Sequence, residues 1–174
     1  LTNVESAEFV KPLAGSSYAS AYYLTELIFR LLKPADIHEA LFTSYAQALT
    51  ALRDAGGDSQ AAEISLRLFE KQLLQELGYG LVLDHDVNTG KSIQDDECYY
   101  YVPEHGPVVC DLESIPMGPK LSGRSLIALA NEELTDKESL RDCKRLMRTV
   151  LQGYIGDKPL QSRMLYNRRS LIEQ

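Results

Sequence analysis

Between residues 18 and 80 the apolar side chains recur every three or four positions, and this run is cut at three places by helix breakers. That pattern commits this part of the chain to a bundle of three helices. In the first, Tyr23, Leu24, Leu27, Ile28, Leu31 and Leu32 fall on one face. Pro34 stops it, because a proline pushes the residue before it out of helical geometry. Asp36 is placed to cap the second, whose face is Ile37, Leu41, Tyr45, Leu49 and Leu52, and Gly56-Gly57 ends it. Asp58 or Ser59 caps the third, which carries Ile64, Leu66, Leu68, Phe69, Leu73, Leu74 and Leu77 and stops at Gly78.

The chain changes character over residues 81–120, where Gly, Asp, Asn and Pro are frequent. Cys98-Tyr99-Tyr100-Tyr101-Val102 has strong β-propensity, and a turn at His105-Gly106-Pro107 leads into Val108-Val109-Cys110, so a short hairpin is expected. Beyond it, Ser122 opens a short helix with Leu126 and Leu129. A longer helix spans about 136–152, with Leu140, Leu146, Val150 and Leu151 as its stripe, and Gly153 and Gly156 break it. A last helix starts near Lys158-Pro159-Leu160, where an early proline is tolerated. The expected fold is mainly α, a helical bundle with a small β-hairpin insert.

Charge is unevenly spread. Residues 141–169 hold eight Lys or Arg against Asp142 and Asp157, whereas residues 1–140 hold 10 basic and 22 acidic residues. The net charge of −7 argues against a surface that grips nucleic acid everywhere. An acidic body with a basic tail instead offers one attractive face to an anion; the plainer reading is a basic helical pair exposed for solubility. Arg141, Lys144, Arg145, Arg148, Lys158 and Arg163 are the candidate phosphate contacts. Three cysteines form an odd, sparse set that suits a reducing compartment better than a disulfide framework. No apolar run reaches the roughly 20 residues that span a bilayer, and no charged-then-apolar leader is present, so no membrane association is expected.

Catalytic signatures are missing: there is no G-x-S-x-G, P-loop or G-x-G-x-x-G, and Gly78-Tyr79-Gly80 follows a helix where a phosphate cradle would open one. Asp95-Asp96-Glu97 is either a solvated acidic turn or a metal-binding loop, and the former is the safer reading. Cys98, Cys110, His85 and His105 are four zinc-type ligands in one segment, but no Cys-x-x-Cys knuckle presents two of them together. On the third helix Arg67 and Lys71 stand among Leu66, Phe69, Leu73 and Leu74. A cation beside an apolar groove suits a peptide with an acidic, hydrophobic end. Spacing alone favours an amphipathic core helix with snorkelling cations.

Several segments, in order along the whole chain, resemble the RecO family of recombination mediators. They are Tyr23-Leu24-Thr25-Glu26-Leu27 with Leu31-Leu32; Leu41-Phe42 with Tyr45 and Leu49 to Leu52; and Arg67-Leu68-Phe69-Glu70, Leu73-Leu74 and Leu77-Gly78-Tyr79-Gly80. Leu121-Ser122-Gly123-Arg124 and Lys158-Pro159-Leu160 with Ser162-Arg163 complete the set. The resemblance implies a DNA-binding OB barrel followed by a helical domain with a zinc-finger-like insert. With Leu1 in place of a Met, residues 1–17 would be a remnant of the barrel edge and linker, the barrel itself lying outside this chain. Residues 18–80 would be the bundle, 81–120 the insert, and 121–174 the helices completing the domain.

Where zinc-bearing relatives carry two Cys-x-x-Cys pairs, this chain has Asp86, Thr89, Cys110 and Glu113, and only Cys110 matches. The insert is therefore expected to hold by packing, with no metal and no cofactor. The resemblance also turns the Arg67 helix toward the groove reading: Arg67, Phe69, Lys71, Leu74 and Leu77 would receive the acidic C-terminal tail of single-stranded DNA-binding protein (SSB). The implied function is non-enzymatic, cytoplasmic and nucleoid-associated. The mediator docks on SSB-coated single-stranded DNA, works with RecR to load the recombinase, and anneals complementary strands, gripping DNA mainly through the missing barrel. A generic helical scaffold and a metal-dependent hydrolase are the competing functions.

Overall fold

The computed structural model describes residues 12–13, 15–33, 38–110 and 118–162. Among these residues, five helices and a small sheet share one core: α1 (Gly15–Leu31), α2 (Glu39–Asp54), α3 (Ser59–Glu76), β1 (Cys98–Val102), β2 (Gly106–Val109), β3 (Lys120–Ser122), α4 (Gly123–Asn131) and α5 (Lys137–Ile155). Leu24 and Leu27 of α1, Leu52 of α2, Leu73 and Leu74 of α3, and Leu146, Met147 and Leu151 of α5 are fully buried in it. Each such side chain contributes about 1.5–3 kcal/mol relative to exposure. The fold is mainly helical with a small antiparallel sheet, as the hydrophobic periodicity predicts.

Local chemistry sets the helix ends. Asp58 caps α3, its carboxylate accepting from the amides of Gln60 and Ala61 at 2.8 and 3.3 Å. At the other end Gly78 takes φ +81°, and the amides of Gly78 and Tyr79 close back onto the carbonyls of Gln75 and Leu74. Ser122 caps α4 and Asp136 caps α5 through the amides of Ser125 and Ser139. Several boundaries differ from expectation: the hairpin turn falls at residues 103–105, with Gly106 and Pro107 already in β2. Helix α1 begins at Gly15, and α5 runs through Gly153 to end at Gly156, whose φ is +74°. A glycine weakens a helix by only about 1 kcal/mol, and α5 is anchored by a continuous buried face. The cap of α2 falls on His38, which makes no side-chain capping bond, in place of the expected Asp36. Residues 15–17 of the expected barrel remnant belong to α1, and Asp36, Ile37 and residues 1–11 lie outside the described residues.

The sheet has the order β2-β1-β3, antiparallel throughout. Tyr99 and Tyr101 of β1 turn into the core, and Cys98, Tyr100 and Val102 take the outer face. Strand β3 was not apparent from the sequence, because its three residues double as the approach to α4. The insert folds around Asp86. Its Oδ1 accepts from the amides of Asn88 and Thr89 and the Thr89 hydroxyl, and its Oδ2 from the amide of Val109, all at 2.6–2.9 Å. One buried carboxylate thus ties the 86–89 turn to β2. Burial works to raise the Asp86 carboxyl, and these bonds outweigh it, leaving the pKa below the ordinary value.

Candidate functional site

Two groups of side chains were expected to carry function: the third helix and the basic C-terminal helices. On α3, Arg67, Phe69 and Leu74 point inward and are buried, Leu77 is half-buried, and Lys71 reaches the surface edge. Phe69 meets the ring of Tyr45 edge-on at 6.1 Å. Arg67 Nη2 donates to Glu70 Oε1 at 2.9 Å, and the Tyr23 hydroxyl donates to the same oxygen at 2.6 Å. Glu70 is wholly buried, so desolvation pushes its carboxyl above the usual range despite Arg67 and Tyr23. The guanidinium charge of Arg67 is therefore committed inside the bundle to Glu70 of its own helix, and the Tyr23 hydroxyl on the same carboxylate joins α1 to α3. Of the five residues, Lys71 and Leu77 alone offer surface. Lys71 Nζ in turn holds the carbonyl of Ala130 at 3.0 Å and Glu132 Oε1 at 2.9 Å. Glu132 is a left-handed residue at the end of α4 (φ +64°), and a cation there complements the exposed carbonyls of the helix terminus.

Helix α5 divides cleanly by face. Leu140, Cys143, Leu146, Met147, Val150 and Leu151 are buried, and Arg141, Lys144, Arg145 and Arg148 are exposed on the opposite side. Lys144 pairs with Glu63 of α3. Arg145 bridges the carbonyl of Lys120 and Asp142. Asp142 also accepts from the Ser122 amide and the Ser125 hydroxyl at 3.0 and 2.9 Å, so this carboxylate locks β3 and α4 to α5. Arg141 and Arg148, two turns apart and about 10.5 Å along the axis, have no hydrogen-bond or ion-pair partner among the described residues. Lys158 is exposed as well, and Arg163 lies outside the described residues.

Among the described residues, the acidic turn and the histidines are engaged with other groups. Asp95 pairs with Arg124, and Glu97 Oε2 accepts from the Tyr99 hydroxyl. The backbone carbonyls of Asp95 and Glu97 receive the first amides of α4, those of Arg124 and Gly123. The acidic turn is thus a docking ledge for a helix N-terminus. His85 leans on Asp84, and His105 on the carbonyl of Pro103. Among the described residues no three His, Cys, Asp or Glu side chains converge as metal ligands.

Two openings were missed by the sequence reading. An apolar cleft of about 480 Å³ between α1 and α2 is lined by Ile28, Leu32, His38, Leu41, Phe42 and Tyr45, with Phe29 and Phe42 81% and 74% exposed beside it. The exposed position of Phe42 in an amphipathic pattern was the available signal. A second opening of about 350 Å³ lies beside the stacked rings of Tyr79 and Tyr154, whose centroids are 4.1 Å apart. No helix among the described residues is long and apolar enough to cross a membrane.

Comparison with known proteins gives one answer. Residues 13–164 match the family described as "Recombination protein O C terminal". The chain is 43% identical over 165 residues to the DNA repair protein RecO of Nitrosococcus oceani, covering 95% of this chain and 65% of that protein. It is 42% identical over 154 residues to the protein of the same name from Nitrosospira multiformis, covering 88% and 62%. With the RecO of Coxiella burnetii (strain RSA 331) the identity is 39% over 166 residues, covering 95% and 69%. The chain therefore spans a little under two thirds of the first two relatives.

Proposed function

The chain belongs to the RecO family of DNA repair and recombination proteins, and from that premise we propose that it is the docking part of a mediator that holds single-stranded DNA without chemistry of its own. The observation that carries this reading is the α5 stripe: exposed cations on an otherwise acidic body, with Arg141 and Arg148 uncommitted to any described partner. Phosphates contacted there would displace counterions, giving a grip that weakens steeply with salt. Lys158 and Arg163 would extend the same surface. The strand would be held mainly by a barrel outside this chain, with RecR joining to load recombinase and anneal complements.

The acidic tail of SSB is the second proposed partner. Because Arg67, Phe69 and Leu74 face the core, the tail would meet α3 at its accessible edge, Lys71 and Leu77, with the other three supporting from behind. Titration with a peptide carrying the SSB tail tests this contact. Binding with a Kd in the micromolar range (about −8 kcal/mol), weakened by Lys71→Glu, supports it. No binding at low salt refutes it.

For the DNA contact, fluorescence anisotropy of a labelled single strand is measured across a salt series. Replacing Arg141 and Arg148 together by Ala lowers the slope of log K against log salt by about 1.4, roughly 0.7 for each phosphate no longer neutralised. An unchanged slope removes α5 from the interface.

A further inference from the structure

Cys98 and Cys110 face each other across the insert's hairpin. The β1–β2 register pairs Tyr99 with Val109 and Tyr100 with Val108, so one step further Cys98 stands directly opposite Cys110. The Cys110 amide donates to the Cys98 carbonyl at 2.7 Å, fixing that alignment. Neither cysteine is in a disulfide, and both are half-buried on the outer face of the sheet. Opposed residues of a hydrogen-bonded antiparallel pair have Cα atoms about 5.5 Å apart, inside the roughly 4.4–6.8 Å that a disulfide spans.

We infer that Cys98 and Cys110 form a reversible cross-strand dithiol site that closes to a disulfide when a low-molecular-weight disulfide of the glutathione class supplies the oxidising equivalents. One protein thiolate attacks a sulfur of the small disulfide, giving a mixed disulfide and releasing one small thiol. The opposed thiolate then attacks the protein sulfur of the mixed disulfide and releases the second small thiol. Two electrons and two protons leave the protein, and one small disulfide becomes two thiols. The site is reversible because of its position. Hydrogen-bonded pairs hold their Cβ atoms toward the wide end of about 4.5–5.5 Å, whereas an unstrained bridge wants about 3.8 Å, and strain makes the bond easier to reduce. Cys143 takes no part: it is buried against α4, its thiol pushed up to about 12 by burial. Cys98 also pairs with Ser122, the cap of α4, so the bridge would tie the residue after β2 to the strand beside that cap.

Intact-mass spectrometry of the native chain after incubation with oxidised glutathione tests the site. The expected product is lighter by about 2 Da and reverts with a mild dithiol. Both cysteines lie between Lys91 and Lys120, so trypsin leaves them on one peptide, whereas cleavage after Glu104 separates them. The expected digest after that cleavage shows the two pieces still joined. In Cys98→Ser the intramolecular product disappears and Cys110 carries a glutathione adduct. Stable adducts on both cysteines of the parent chain, dimers linked between chains, or no reaction at either thiol would each overturn the assignment.

Discussion

Within one turn of α3, Arg67 and Glu70 place a charge pair in the core, and the atoms on its far side, Arg67 Nε and Glu70 Oε2, find no hydrogen-bond partner among the described residues. A buried pair of this kind is costly to break and adds little net stability over apolar packing. Arg67→Met alone strands the Glu70 carboxyl and lowers stability by about 3 kcal/mol or more; Arg67→Met with Glu70→Leu returns within about 1 kcal/mol of the parent. Urea denaturation of the set checks this, and equal losses in single and double variants would refute it. The pH dependence has a definite sign. A carboxyl whose folded pKa is raised binds its proton more tightly when folded, so this group's contribution falls as pH climbs from the unfolded toward the folded pKa. The double variant loses that slope. These residues also show what the sequence could convey. That α3 is amphipathic with Arg67 and Lys71 beside apolar neighbours was legible from spacing. Which cation turns inward was not, because Glu70 and Tyr23, three and 44 positions away from Arg67, decide it through a contact that only the packed bundle creates.

At the level of elements, periodicity and caps were readable wherever one segment carried its own signal. The Asp58 cap, the Gly78 stop, the hairpin at β1 and β2, and the Ser122 cap are examples. What stayed hidden are junctions made by two distant segments: β3, the ledge under α4, and the Asp86 clasp. Gly123 marks the ledge. A Cβ there would sit 1.8 Å from the carbonyl oxygen of Gln94, a backbone atom with no rotamer to yield. Gly123→Ala therefore costs at least about 2 kcal/mol, read as a lower urea midpoint, although alanine favours helix. A neutral result would mean the ledge moves freely. Asp86→Asn tests the clasp. The amide keeps one acceptor and turns an NH2 toward the Val109 amide, leaving that donor unsatisfied at a cost of about 1–3 kcal/mol. Since the Asp86 pKa is lowered on folding, its stabilisation is complete above the unfolded pKa and fades as pH falls through the folded one. The two proteins should thus converge in acid. A gap that persists there would assign the loss to packing.

Across the whole molecule, several segments that resemble the RecO family tie distant parts together. Tyr23 reaches Glu70, and Ser122 and Gly123 seat α4. Glu26 makes the longest such tie. Its carboxylate accepts from the backbone amides of Gln161 and Ser162 at 2.7 and 2.9 Å, while Arg30 donates to the carbonyl of Pro159. It thereby does for the backbone amides of Gln161 and Ser162 what a local cap would do, with the carboxylate supplied from α1, 135 residues away. Burial would raise this carboxyl, but the two backbone amides and Arg30 prevail and hold it below the usual range. The tie is therefore intact at neutral pH and is lost as pH falls through the folded pKa. Glu26→Gln keeps one oxygen for two amides and removes the charge, so about 1.4 kcal/mol of local stability should go. Amide hydrogen exchange at Gln161 and Ser162 would then quicken by about 10-fold at pH 7, while amides in the middle of α3 keep their protection. If exchange in α3 rises by the same factor, Glu26 supports the bundle as a whole, and its role as a remote cap for Gln161 and Ser162 is wrong.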